Sequence, residues 1–182
     1  FREGPGGLGA CEIANGHAVA SVALQGAQLL SWIPRGEKPV IWLSRDASFE
    51  VGRSIRGGVP VCWPWYGRHP SENAWPSHGW ARLLDWKLLD SSSDEDGVRL
   101  HWQLQLCDWQ VDLHAHLGQS MDLRLSTEHQ DSEPCQLSQA LHAYWRIGDV
   151  GEVALSGLDG VQGYDQLNRQ ACQQQRKPEG DH

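Results

Sequence analysis

The sequence lacks long apolar runs and has no excess of positive charge. Uninterrupted apolar stretches such as 39–43 (PVIWL) stay far below the roughly 18 residues that a membrane-spanning helix needs. Asp and Glu total 23 against 15 Lys and Arg, and the resulting net charge of −8 offers no general attraction to nucleic acid or anionic lipid. We therefore expect neither a nucleic-acid partner nor a membrane partner, and an anionic ligand must meet a local group of arginines.

Paired cysteine motifs are also absent. The five cysteines are odd in number and widely spaced, and no Cys-x-x-Cys pair occurs among them. This spacing is typical of reduced thiols, and it predicts a cytoplasmic protein. The chain begins with Phe1 and shows no basic start and apolar run of a secretory signal, so we expect an excerpt of a longer protein.

The chain has 182 residues, 40% hydrophobic and 21% charged, which is the composition of a globular protein. Apolar and polar residues alternate strictly over 98–106, and the alternation returns over 111–117 and 121–125. Short turn-like breaks separate these runs, so they predict an antiparallel meander with one solvent-exposed face. No long segment has a helical period, and the fold class expected is an all-β sandwich or barrel.

Other parts of the chain fit the same class. We predict short strands over 17–24, 28–33 and 40–43, and the acidic, serine-rich run 90–97 is predicted to be a solvated hairpin loop. Without an internal repeat or a linker, 1–182 is expected to form a single domain. The Gln-rich end, 170–182, is expected to be a polar tail or the torn end of a strand.

Three segments carry residues suited to chemistry. In 55–67, the pair Gly57-Gly58 and two prolines fix a backbone path beside Arg56, as in many pocket walls, although a tight turn would explain them equally well. In 77–82, His78 and Arg82 stand four residues apart. A lone histidine of this kind is most often a surface residue.

The third segment is 140–146, whose strand pattern places His142, Tyr144 and Arg146 on one face. An imidazole, a phenol and a guanidinium would then lie side by side. By itself, such a triplet is most often a polar solvent-facing surface.

Taken together and in this order, the three segments resemble the aldose 1-epimerase (mutarotase) superfamily, in its hexose-6-phosphate 1-epimerase branch. The resemblance includes the motif Gln-Gly-Ala-Gln at 25–28 and the segments 38–44, 155–158 and 164–165. It implies a large antiparallel β-sandwich of the galactose mutarotase-like kind, incomplete at the C-terminus, which agrees with the strand pattern.

The resemblance also implies the roles of five residues. Mutarotation opens and recloses a pyranose, which needs an acid at the ring oxygen and a base at the anomeric hydroxyl. His142 corresponds to the catalytic acid, and His78 to a histidine that binds the sugar. Arg56 and Arg82 correspond to arginines that hold the phosphate, and Asp165 to a carboxylate that binds sugar hydroxyls. The expected partner is a small sugar phosphate, and no cofactor is implied.

The general base is the missing element. In the family it is a glutamate well beyond the Tyr-Asp motif, and neither Glu152 nor Glu179 occupies that place. One interpretation is a glucose-6-phosphate 1-epimerase, interconverting α and β anomers, whose chain is cut before its base. The alternative is a catalytically silent sugar-phosphate-binding β-sandwich.

Two further groups of aromatic and imidazole side chains have weaker interpretations. Trp65 and Trp80 are candidates for a saccharide-stacking platform, although large aromatic residues more often fill cores. His101, His114 and His116 project from the predicted polar faces of neighbouring strands. Because no acidic residue or cysteine spacing supports a metal site there, no metal is expected.

Overall fold

Antiparallel strands and short 3-10 turns make up the computed structural model, which describes residues 1–158, 160–165, 168 and 170–173. Within these residues no helix is long and apolar enough to span a membrane. The chain divides into two compact units, Phe1–Arg146 and Ile147–His182. The strands are β1 (Arg2–Glu3), β2 (Gly9–Ala14), β3 (Ala18–Ala23), β4 (Leu29–Pro34), β5 (Val61–Cys62), β6 (Lys87–Asp94), β7 (Gly97–Leu106), β8 (Trp109–Gly118), β9 (Met121–His129), β10 (Ala140–Leu141), β11 (Gln162–Asp165) and β12 (Gln170–Gln173). The 3-10 turns are Pro5–Gly7, Ala81–Leu83 and Val150–Glu152.

The predicted meander is confirmed as the last three strands of a four-stranded sheet, β6-β7-β8-β9. β7 pairs with β8 from Gly97↔Gly118 to Leu106↔Trp109, and β8 continues antiparallel into β9. The apolar positions Leu100, Trp102 and Leu104 are buried, as their alternation predicts.

The prediction of a loop over 90–97 is wrong for most of its length. Residues of β6 pair with β7 as far as Asp94↔Gly97, which leaves only Glu95 and Asp96 in the turn. β6 is an edge strand, and all but one of its residues are exposed. Serine and aspartate side chains can therefore remain solvated there while the backbone completes the ladder, and a loop-like composition is compatible with a strand.

The first sheet has the order β1-β2-β3-β4 and contains the strands predicted over 17–24 and 28–33. The third early prediction, a strand over 40–43, corresponds only to isolated bridges, Ile41↔Trp145 and Leu43↔Gly57. These bridges join segments that are distant in the sequence.

The core lies between the two four-stranded sheets. One continuous cluster of buried side chains includes Ala20 and Val22 of β3, Trp102 of β7 and Leu113 of β8. The Asn15 amide donates to the carbonyl of Leu117 at 2.8 Å, which links the β2–β3 turn of the first sheet to the end of β8 in the other. The predicted all-β antiparallel sandwich is confirmed.

The second unit contains a hairpin and a 3-10 turn. β11 pairs antiparallel with β12, and the Asp149 side chain accepts a hydrogen bond from the Gly151 backbone at 2.7 Å. Of the predicted tail, 170–173 form β12, and 174–182 lie outside the described residues.

Candidate active site

His142 is placed by backbone pairing between two distant segments. After β10 pairs with β5, the His142 N–H donates to the Pro60 carbonyl at 3.0 Å, and the Tyr144 N–H donates to the Gly58 carbonyl at 2.9 Å. The two side chains lie on the same side of this segment, with ring centroids 4.8 Å apart. The predicted proximity of His142 and Tyr144 is confirmed.

His78 is held in a left-handed backbone conformation, with φ 65°. Its N–H donates to the Gly67 carbonyl at 2.6 Å, and its Nδ1 accepts from the Gly67 N–H at 3.2 Å. Because Nδ1 is an acceptor, the neutral ring carries its proton on Nε2. Gly67 therefore fixes both the orientation of the ring and its tautomer.

The rings of His78 and His142 lie close together. Their ring centroids are 5.9 Å apart, and the ring of Tyr66 lies 4.8 Å from that of His78 and 6.0 Å from that of His142. Partial burial lowers the pKa of His78, and the positive charges of Arg82 and protonated His142 lower it further. His78 is therefore a neutral Nε2–H donor at neutral pH.

Arg82 lies in the 3-10 turn Ala81–Leu83, close enough for its charge to act on His78. One of its terminal nitrogens donates to the Ser77 carbonyl, whereas its Nε is buried and has no partner among the described residues. Burial lowers the pKa of Arg82, and the side chains of Cys62 and Tyr144 oppose that shift. A guanidinium remains charged under these conditions, so the site holds a cation with an unused donor.

Arg56 is positioned by its backbone and not by its side chain. Its carbonyl accepts from the Ser44 N–H at 3.1 Å, and the Gln28 amide donates to both neighbouring carbonyls. The side chain is exposed, and no contact in the described part of the chain joins its guanidinium to the histidines or to Arg82. The structure thus brings together His78, Arg82 and His142, and leaves the Arg56 side chain pointing into solvent.

The remaining predicted site residue belongs to the second unit. Asp165 ends β11, and its side chain lies outside the described part of the structure, so its contact with a sugar stays a prediction. Glu152 is exposed in the same unit, and Glu179 lies beyond the described residues.

Sequence reasoning missed Tyr66 and Gln28. Tyr66 is brought near His142 because its N–H donates to Ser138 Oγ at 2.9 Å, two residues before β10 begins. Its position directly before Gly67 was the available signal. For Gln28 the signal was the Gln-Gly-Ala-Gln motif itself, since an amide buried in a core must find hydrogen-bond partners.

The tryptophans proposed as a platform belong to an aromatic cluster that includes Trp75 and His69. Trp65 stacks on Trp75 with centroids 5.4 Å apart, and both contact Trp80 at 6.0 Å. Trp65 is 8% exposed and Trp75 45% exposed. The cluster thus lies in the loop before His78, and Trp75 is more exposed than Trp65.

The histidines on the meander line a separate open groove of about 900 Å³ on the polar face of β6–β9. His101 stacks on His114 with centroids 4.1 Å apart and makes a 2.7 Å hydrogen bond to Asp112. Among the described residues, no group of three or more His, Cys, Asp or Glu side chains is arranged to hold a metal ion. This groove does not include His78 or His142.

Comparison with known proteins identifies the family. The aldose 1-epimerase family profile matches residues 10–180. The putative glucose-6-phosphate 1-epimerases of Escherichia coli (strain K12) and Salmonella typhimurium are 43% and 40% identical over 148 residues, which cover 76% of this chain and 49% of each relative. The chain thus spans about half the length of these curated relatives. A crystal structure of a putative mutarotase from Salmonella typhimurium has a TM-score of 0.82 and 34% identity, covering 90% of this chain and 57% of that one. The chain therefore belongs to the aldose 1-epimerase family.

Proposed function

We propose that this chain carries the acid and the phosphate-binding side of a site that interconverts the α and β anomers of a hexose 6-phosphate. The observation that supports this most is the His78–His142 pair, 5.9 Å between ring centroids, with the Arg82 charge acting on His78. The names of the relatives support the substrate class.

His142 is the proposed acid. It gives a proton to the ring oxygen as the bond from C1 to that oxygen breaks, while a base takes the proton of the anomeric hydroxyl. The open aldehyde then rotates about its C1–C2 bond. On reclosure, the C5 hydroxyl returns its proton to His142 and the new anomeric oxygen is protonated by the base. An imidazole suits this exchange because its ordinary pKa lies near neutrality.

His78 and the arginines are the proposed binding groups. The neutral Nε2–H of His78 donates to a sugar oxygen, and its fixed tautomer excludes an acceptor role for that nitrogen. Arg82 is only half-buried, and its other terminal nitrogen, Nη1, makes no hydrogen bond within the described residues, so the guanidinium can receive a phosphate oxygen. Charge-assisted hydrogen bonds of this kind are among the strongest in proteins.

The alternative, a silent sugar-phosphate-binding β-sandwich, is favoured by one observation. No residue of this chain matches the glutamate that serves as base in the family. A site with an acid and without a base would bind the sugar and lose much of the proton transfer.

Exchange NMR on glucose 6-phosphate separates the two functions. We expect the chain to accelerate anomeric exchange above the spontaneous rate in buffer, though weakly in the absence of a matched base. His101→Asn, which alters a histidine outside the site, is the control and should leave the acceleration intact. Binding without acceleration would support the silent alternative, and absence of both would contradict either function.

A further inference from the structure

The side chain of Gln28 is fully buried beneath the segment that carries Arg56. Its Nε2 donates to the carbonyl of Ile55 at 3.2 Å and to the carbonyl of Gly57 at 2.7 Å. These are the two residues on either side of Arg56. One amide nitrogen therefore ties down the peptide group that precedes Arg56 and the peptide group that follows Gly57.

Chemistry fixes the orientation of this amide. Both partners are carbonyl oxygens, which only accept hydrogen bonds, so Nε2 must face them and Oε1 must point away. Oε1 is buried and has no partner within the described residues. An aliphatic side chain of equal length would leave the Ile55 and Gly57 carbonyls without this donor, whereas the glutamine leaves only its own Oε1 unpartnered within the described residues. The two hydrogen bonds to the Arg56 segment, and not packing, account for the glutamine.

The rest of the backbone around Arg56 is equally constrained. The Arg56 carbonyl accepts from Ser44, and the Gly58 N–H donates to the Trp42 carbonyl at 2.8 Å. A Cβ on Gly57, which has φ 104°, would lie 2.7 Å from the Leu43 Cα. Arg56 thus has an exposed guanidinium on a backbone that is fixed from both sides.

We infer that Gln28 is a positioning residue, which fixes the direction in which the Arg56 side chain leaves the backbone and so strengthens its hold on a phosphate. The inference rests on the proposed function in assigning phosphate to Arg56. Preorganising a binding group increases affinity because less conformational freedom is lost when the ligand binds.

The test compares two buried glutamines in the full 182-residue chain. Gln28→Met removes both donors and keeps the side-chain length. Gln25→Met is the matched control, since Gln25 is also buried and its amide bonds the same loop at Gly52 and Arg53, before Arg56. Each variant is titrated with glucose 6-phosphate and with glucose.

We expect Gln28→Met to lower the preference for glucose 6-phosphate over glucose by about tenfold, the contribution of one charge-assisted hydrogen bond. Gln25→Met should lower the melting temperature and keep the preference. In an Arg56→Ala background, Gln28→Met should have no further effect on the preference. A folded Gln28→Met variant with the parent's preference, or an equal loss in both backgrounds, would overturn the inference.

A second measurement keeps the inference independent of phosphate binding. If the parent binds both sugars equally, the proposed phosphate site fails, and ¹⁵N relaxation of the free protein then tests Gln28 directly. Backbone motion at Arg56 and Gly57 should increase in Gln28→Met and not in Gln25→Met. Unchanged motion at these two residues would refute the positioning role.

Discussion

Replacement of Arg82 by alanine should selectively weaken the binding of a phosphorylated sugar. Arg82 keeps one terminal nitrogen on the Ser77 carbonyl, and the other, Nη1, makes no hydrogen bond in the described part of the chain. A phosphate oxygen on Nη1 forms at least one charge-assisted hydrogen bond, worth roughly 1.5–3 kcal/mol. Since 1.4 kcal/mol is tenfold in affinity, Arg82→Ala should weaken glucose 6-phosphate binding by about 10- to 100-fold. Glucose has no phosphate, and its affinity should be nearly unchanged.

The assay is calorimetric titration of both sugars into the parent, Arg82→Ala and Arg82→Lys. Lysine keeps the charge and loses the planar pair of donors, so its affinity should be intermediate. Arg35→Ala is the control, because it removes one positive charge from an exposed arginine that bonds the Gly16 carbonyl. An equal loss for both sugars, or no loss for glucose 6-phosphate, would refute the phosphate assignment.

The same variant has a spectroscopic readout that does not depend on ligand. Burial and the Arg82 charge both lower the pKa of His78. Removal of the charge should therefore raise the pKa of His78, which NMR titration of the ring signals measures. A pKa that stays the same in Arg82→Ala would mean that the guanidinium does not act on this histidine.

Three further predictions concern the acid, pH and backbone. His142→Asn should abolish the acceleration of anomeric exchange, since loss of a positioned proton-transfer group lowers the rate by about 10²–10⁴-fold. The affinity for glucose 6-phosphate should be nearly unchanged. If NMR shows that the variant still accelerates exchange, the acid is a different residue. The free energy of unfolding should fall as pH drops below about 6.5, because the pKa of His78 is lower in the folded chain and the unfolded chain takes up the proton first. Urea titrations at several pH values should show that the free energy of unfolding depends less on pH in His78→Gln than in the parent. An equal pH dependence in the two proteins would contradict this. Gly79→Ala should destabilise the fold by more than about 2 kcal/mol, because the φ of Gly79 is 75° and a Cβ would lie 1.9 Å from the Trp63 carbonyl oxygen. Gly36→Ala is the control, since Gly36 has a φ of 79° and open space around it, and should cost only about 1–2 kcal/mol. Equal losses of stability in thermal unfolding would refute the steric argument.

The central strands were predictable from sequence because they bury one face. In β7 and β8 the alternation of apolar and polar residues follows directly from packing against the other sheet. β6 has no buried face, so its sequence does not alternate between apolar and polar residues, and residues 90–94 have the composition of a loop. Its strand conformation comes from pairing with β7, which local composition does not encode.

The site was predictable only in part, for a related reason. Strand alternation was sufficient to place His142 beside Tyr144, and the family resemblance supplied the roles of the other residues. The contact between His78 and Gly67 spans eleven positions of a loop, and no periodicity describes it. Tyr66 was missed because its approach to His142 depends on a hydrogen bond from its backbone N–H to the Ser138 side chain, 72 residues away.

The conformation of His78 shows how such long-range contacts determine chemistry. A left-handed backbone is unfavourable for histidine, and here it is maintained by contacts on both sides of the residue. Gly79 packs against the Trp63 carbonyl, where a side chain does not fit, and Gly67 exchanges two hydrogen bonds with His78. The second of these bonds occupies Nδ1, and this leaves Nε2–H as the only donor of the ring. The backbone path of the loop therefore sets the protonated nitrogen of the proposed sugar-binding histidine, so a change in loop length between Gly67 and His78 should alter binding even where every site residue is retained.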